Sequence, residues 1–163
     1  METLLPLAET AGRLLKSRGE TIAIAESSAG GLISAALLST GGASAYFRGG
    51  SVIYTVQARQ GLLDIPTPLP APVERASTEI YATLLADTVR ARLDAVWGLS
   101  ETGATGPTGN RYGDAPGHCC IAVTGPVSKV ITIETGSDDR VANMRVFGER
   151  ALALLVEVLR AAG

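Results

Sequence analysis

Leu4, Leu7, Ala8, Ala11, Leu14 and Leu15 recur at the spacing that gathers apolar side chains on one face of a helix, and Gly19 supplies a stop. The period then shortens. Residues 21 to 26, Thr-Ile-Ala-Ile-Ala-Glu, are short, apolar and partly β-branched, and read as a buried strand. Residues 31 to 40 return to helical spacing and stop at Gly41 and Gly42. A second strand is predicted at 51 to 55, Ser-Val-Ile-Tyr-Thr, followed by a loop that the prolines of residues 64 to 72 keep extended. Ser77 is placed to cap the next helix, with Glu79 in its first turn and Ile80, Leu84, Leu85, Val89 and Leu93 along its inner side.

Residues 95 to 100 read as a third strand. The stretch from 103 to 117 carries five glycines and two prolines and is expected to form no regular element. Residues 118 to 125 and 129 to 136 resemble a hairpin turning near Gly125-Pro126. A closing helix from about Asn143 to Ala161 turns Phe147, Ala151, Leu154, Leu155 and Val158 inward. Helices interleaved with strands imply an α/β fold whose sheet is covered on both faces, and the late hairpin makes that sheet mixed. Neither a repeat nor a linker interrupts the 163 residues, so one domain over 1–163 is expected.

Charge and composition narrow the function. Fourteen Lys and Arg face sixteen Asp and Glu, with no basic block. The footprint of a nucleic-acid or acidic-membrane binder is missing, and a small uncharged or singly anionic ligand fits better. No apolar run nears the roughly 20 residues that cross a bilayer, and the charges within the opening helix do not suit a signal peptide. A cytoplasmic location is expected. Cys119 and Cys120, adjacent in an apolar run, read as buried strand residues, with no disulfide or metal site. His118, the only histidine, lies in a strand-like segment without a nearby carboxylate pattern, a poor start for a Ser-His-Asp triad.

The turn Glu26-Ser27-Ser28-Ala29-Gly30-Gly31 joins a buried strand to a helix. One of its serines can cap that helix. Alternatively, a hydroxyl there faces the crevice beyond the carboxyl ends of the strands, beside free N–H groups able to bind phosphate or steady an oxyanion. Tyr54 and Arg59, leaving the second strand, are its candidate polar partners. In the loop around Thr102 to Gly109, glycines let main-chain amides approach a phosphate or sugar, although a plain surface loop has the same composition. It matches neither a P-loop nor a dinucleotide fingerprint.

In order along the chain, these pieces resemble the C-terminal domain of the CinA family, whose characterised members include nicotinamide mononucleotide deamidases. The family's Ala-Glu-Ser-Cys-Thr-Gly-Gly turn is matched by Ala25 to Gly31, and its Gly-Ala/Ser-Ser element by "GGASAYFRGG". Its tyrosine and lysine, five residues apart, correspond to Tyr54 and Arg59. Its Thr-Gly-x-Ala-Gly-Pro-x-Gly loop corresponds to Thr102 to Gly109, and its Gly-Asp-Arg segment to "SDDR", ending at Arg140. The resemblance implies a three-layer α/β/α sandwich with a mixed, mostly parallel sheet. It also implies hydrolysis of a nicotinamide carboxamide to the acid and ammonia, with neither metal nor cofactor.

Carried over by position, Ser27 is the nucleophile and Tyr54 a proton-transfer partner, with Arg59 in the third catalytic place. Ser28, Gly30, Gly31, Ser44, Gly50, Thr102, Gly103, Thr105, Gly106 and Arg140 are the expected contacts to a small-molecule nucleotide. Self-association into a homo-oligomer is expected by analogy. Ala29, Val56 and Thr105 depart from the family's threonine, asparagine and alanine. Arg59 departs most, because a guanidinium keeps its proton at any physiological pH and cannot serve as a general base. A phenolate at Tyr54, favoured by Arg59 within about 4 to 6 Å, is one way to activate Ser27. A nucleotide-binding protein that has lost turnover is the alternative.

Overall fold

The computed structural model describes residues 1–163. Three of its five strands, β1 (Ile22–Glu26), β3 (Trp97–Ala104) and β4 (His118–Thr124), are buried along nearly their whole length. In β2 (Phe47–Val52) and β5 (Lys129–Glu134), half-buried positions alternate with exposed ones and none is fully buried. That contrast sets the order β2-β1-β3-β4-β5, with the continuous apolar runs at the centre and the alternating strands at the edges. β1 pairs in parallel with β2 and β3, whereas β4 is antiparallel to both β3 and β5, so β4 alone runs against the rest.

Helices α1 (Leu5–Arg18), α2 (Leu32–Leu38) and α5 (Arg140–Ala161) cover one face around Leu15, Ile24, Ile33, Trp97, Ile121 and Phe147. On the other face α3 (Val56–Leu63) and α4 (Glu79–Arg92) pack over Ala23, Ala25, Leu63, Tyr81, Leu85 and Val89. The result is a three-layer α/β/α sandwich on a mixed sheet. No helix is long and apolar enough to cross a membrane.

Several boundaries differ from expectation for identifiable reasons. β2 begins at Phe47 and ends at Val52, opposite Glu26, because its partner β1 ends there. Tyr54 therefore follows the strand, and Arg59 sits on α3, a helix the sequence did not signal. Thr55 starts that helix, its hydroxyl accepting the Ala58 amide at 3.1 Å. α2 ends at Leu38, ahead of the glycine pair.

The cap of α4 is Thr78, whose hydroxyl accepts the Tyr81 amide at 3.2 Å, while Ser77 takes the left-handed region at φ 57°. The inner face of α4 is Tyr81, Ala82, Leu85, Ala86 and Val89, and Ile80 and Leu93 are exposed. β3 continues to Ala104, through the start of the glycine-rich stretch. Gly103 makes this possible, since a Cβ there would lie 2.2 Å from the His118 carbonyl of β4.

Candidate functional site

β1, β2 and β3 run the same way, so their carboxyl ends open on one edge of the sheet. The 27–31 turn leaves β1 there and bends through Gly30 and Gly31, at φ 68° and 99°, a region in which side chains are strained. Two fully buried carboxylates hold it. Glu26 Oε2 accepts the Gly31 and Ile33 amides, each at 3.0 Å. Its Oε1 accepts the Ser34 amide at 2.7 Å and the Ser34 hydroxyl at 2.6 Å. Glu101 Oε2, from β3, accepts the Ala29 amide at 2.7 Å and the Ser27 amide at 3.2 Å. Burial pushes the Glu101 carboxyl up to about 7; the two amide bonds oppose this and the charge of Glu26 adds to it.

The amides expected to face a ligand are thus largely taken by protein carboxylates. Neither serine caps α2: its N-cap is Gly31, with no side-chain bond, and the Ser28 hydroxyl donates to the Gly103 carbonyl at 2.9 Å. The Ser27 hydroxyl makes no hydrogen bond within the chain and lines a cavity of about 300 Å³. Tyr54, Arg59, Thr102 and Gly103 line the same cavity. An adjoining cavity of about 170 Å³ is bordered by Ser28, Thr105, Gly106 and Arg140, and it shares Tyr54, Gly103 and Asn110 with the first.

Arg140 fixes Tyr54 between the two spaces. Its Nη2 donates to the Tyr54 hydroxyl at 3.2 Å and its Nη1 to the Gly106 carbonyl at 2.7 Å. The guanidinium on that phenol is therefore Arg140 and not Arg59. Arg59 donates through Nη2 to the Pro66 carbonyl at 3.1 Å and to the Thr67 hydroxyl. It also lies beside Tyr81, whose phenol burial raises and Arg59 partly draws back.

Ser44 and Gly50 stand apart from this group. Ser44 is exposed on a short 3-10 turn, Ala43–Ala45, at the amino end of β2, and Gly50 lies within β2 opposite Ile24. Gly30 and Gly31 shape the turn but border neither cavity. His118 contacts Glu134 and the Ser77 carbonyl and does not line the cavity of Ser27. Burial draws its imidazolium down, but these bonds carry it up overall. Cys119 and Cys120 are free and buried, the former 3.7 Å from Glu101.

Sequence reasoning assigned nothing to Glu26, Tyr81, Glu101, Asn110, Arg111 or Tyr112. The last three, a polar and aromatic run inside a glycine-rich loop, were the available signal for a wall of the cavity.

A profile of the CinA C-terminal domain matches residues 4–159. A CinA-like protein from Acaryochloris marina is 38% identical over 122 residues, 74% of this chain and 28% of the relative. One from a Cyanothece species is 39% identical over 120 residues, with the same coverage, 74% and 28%. The chain thus spans under a third of the length of these relatives. A competence-damaged protein (CinA) superfamily protein from Klebsiella pneumoniae superposes with a TM-score of 0.87 at 22% identity, over 97% of this chain and 98% of that one. The competence/damage inducible protein CihA from Agrobacterium tumefaciens gives 0.84 at 25% identity, over 96% and 95%.

Proposed function

The chain belongs to the CinA C-terminal domain family, and from that membership we propose that it hydrolyses the amide of a nicotinamide nucleotide with Ser27 as nucleophile. One observation carries the reading: the Ser27 hydroxyl, free of protein partners, faces the same cavity as Tyr54. The cavity wall holds no histidine, lysine or carboxylate but three phenols, Tyr54, Tyr81 and Tyr112; of these Tyr54 stands at the family's proton-transfer position, and proton transfer is assigned to it.

Because Arg140 donates to the Tyr54 oxygen, the phenol's own hydrogen is free to point into the cavity. As the serine oxygen attacks the carboxamide carbon, its proton passes to the Tyr54 oxygen in concert with transfer of the phenol's own hydrogen to the amide nitrogen, so that the phenol stays neutral; the C–N bond breaks, and ammonia leaves an acyl-serine. Water then attacks the ester, one of its protons returning through Tyr54 to the serine oxygen.

The lack of a histidine, lysine or carboxylate to act as general base supports a second reading, a nucleotide-binding protein without turnover. Ammonia release from nicotinamide mononucleotide separates the two. Release in the wild type, lost in Ser27→Ala and reduced roughly 100-fold or more in Tyr54→Phe, is expected for the enzyme. Binding without release, unaltered by Ser27→Ala, would leave the binding protein. An increase in turnover in Arg59→Lys would show that a base alone limits the rate.

A further inference from the structure

The cavity that holds Ser27 is lined by two arginines, Arg59 and Arg111, and by no acidic residue. Arg59 is only 6% exposed, and its guanidinium belongs to none of the seven ion pairs of the chain. Only its Nη2 donates to protein atoms, both of them neutral oxygens, and its buried Nε has no partner. A charge withdrawn from water with no counter-charge is costly unless something anionic joins it.

Its position on α3 aggravates the cost. Arg59 lies near the amino terminus of that helix, where the backbone already carries partial positive charge, and the first turn contains no acid. Thr55 and Val56, at the start of α3, border the same cavity. The helix start leaves the Val56 and Gln57 amides without protein acceptors. Arg111, exposed, stacks on Tyr112 with its guanidinium carbon 5.2 Å from the ring centroid, and no carboxylate pairs with it. Arg75, which borders a neighbouring cavity and not this one, is by contrast neutralised by Asp114 at 2.6 Å.

We propose that Arg59, Arg111 and the first turn of α3 form a phosphate-binding site within the cavity that holds Ser27, separate from Arg140 and the glycine loop. A phosphate dianion matches two uncompensated guanidinium groups and a helix start better than a carboxylate does. The position that cannot act as a base thereby acquires a role in holding ligand. The site deepens the nucleotide reading without requiring Ser27 to react.

Calorimetric titration of the full chain with inorganic phosphate tests it, with acetate in parallel and melting curves for each variant. Phosphate is expected to bind and to raise the melting temperature, and acetate to do so more weakly. Arg59→Met and Arg111→Gln should each weaken phosphate binding roughly tenfold or more, whereas Arg140→Gln and Ser27→Ala should leave it intact. Without phosphate, Arg59→Met should melt no lower than the wild type, since it removes an uncompensated buried charge. If that variant fails to fold, the exposed Arg111→Gln still decides the question.

Absence of phosphate binding to the wild type overturns the proposal. So does binding that survives Arg59→Met and disappears in Arg140→Gln. Competition between nicotinamide mononucleotide and phosphate identifies the substrate's own phosphate as occupant, and simultaneous binding identifies free phosphate. A failure to release ammonia touches only the hydrolytic reading.

Discussion

Glu26 accepts four hydrogen bonds, three from main-chain amides at the start of α2 and one from the Ser34 hydroxyl. The glutamate is visible in the sequence beside the serines, yet a strand-to-helix turn ordinarily draws attention to Ser and Thr as caps. Its actual task follows from burial. A carboxylate at the carboxyl end of a central strand must find donors, and the helix start supplies them. Glu101 does the same for the Ser27 and Ala29 amides from 72 or more residues away, which no local pattern could reveal. Glu26→Ala is expected to cost roughly 3 kcal/mol or more, because it strands buried donors. Glu26→Gln, which retains one acceptor, should cost less. Urea denaturation measures both, and a cost below about 0.5 kcal/mol for the alanine variant would mean that the turn does not depend on this carboxylate.

Among the elements, those with one strong period were legible and those shaped by a partner were not. α1, β4, β5 and α5 all lie where their apolar spacing predicted. β2 was displaced because Ser-Val-Ile-Tyr has the stronger strand composition, whereas pairing with β1 selects Phe47–Val52 despite two glycines. α3 escaped notice because one of its two buried residues is Arg59. The start of α4 offers a direct check on such local signals. Thr78 and Ser77 are both suitable caps by residue type, but only the Thr78 hydroxyl accepts an amide of the first turn. Thr78→Ala should therefore cost roughly 1 kcal/mol. Ser77→Gly should be neutral or stabilising, since it relieves a left-handed backbone at φ 57°. Comparable losses from both in thermal melts would contradict this assignment.

Across the whole molecule, buried ionisable groups occupy both faces of the sheet, and their signs combine in an unusual direction. Glu101 faces the α2 and α5 layer with a carboxyl raised from an ordinary 4.5 to about 7, so the folded chain holds that proton more tightly than the unfolded one. The stabilisation it provides is complete below about 4.5 and is lost as pH rises to about 7. His118, beside α4, is raised from 6.5, so its contribution is complete below 6.5 and is lost as pH climbs through the folded value. Asp114, bonded chiefly to Arg75, is lowered from 3.8, so its contribution is present above 3.8 and vanishes as pH falls further. The three together favour greatest stability well on the acid side of neutrality, between 3.8 and about 4.5, with a decline above that range. Melting temperature is accordingly expected to decline from pH 5 to pH 8 at constant ionic strength. Glu101→Gln should flatten the portion below about 7, and His118→Gln the portion above 6.5. A profile that rises toward neutrality, or one unaltered by Glu101→Gln, would show that the carboxyl beneath the Ser27 turn is already ionised at pH 5, held by its two amides more strongly than burial opposes it.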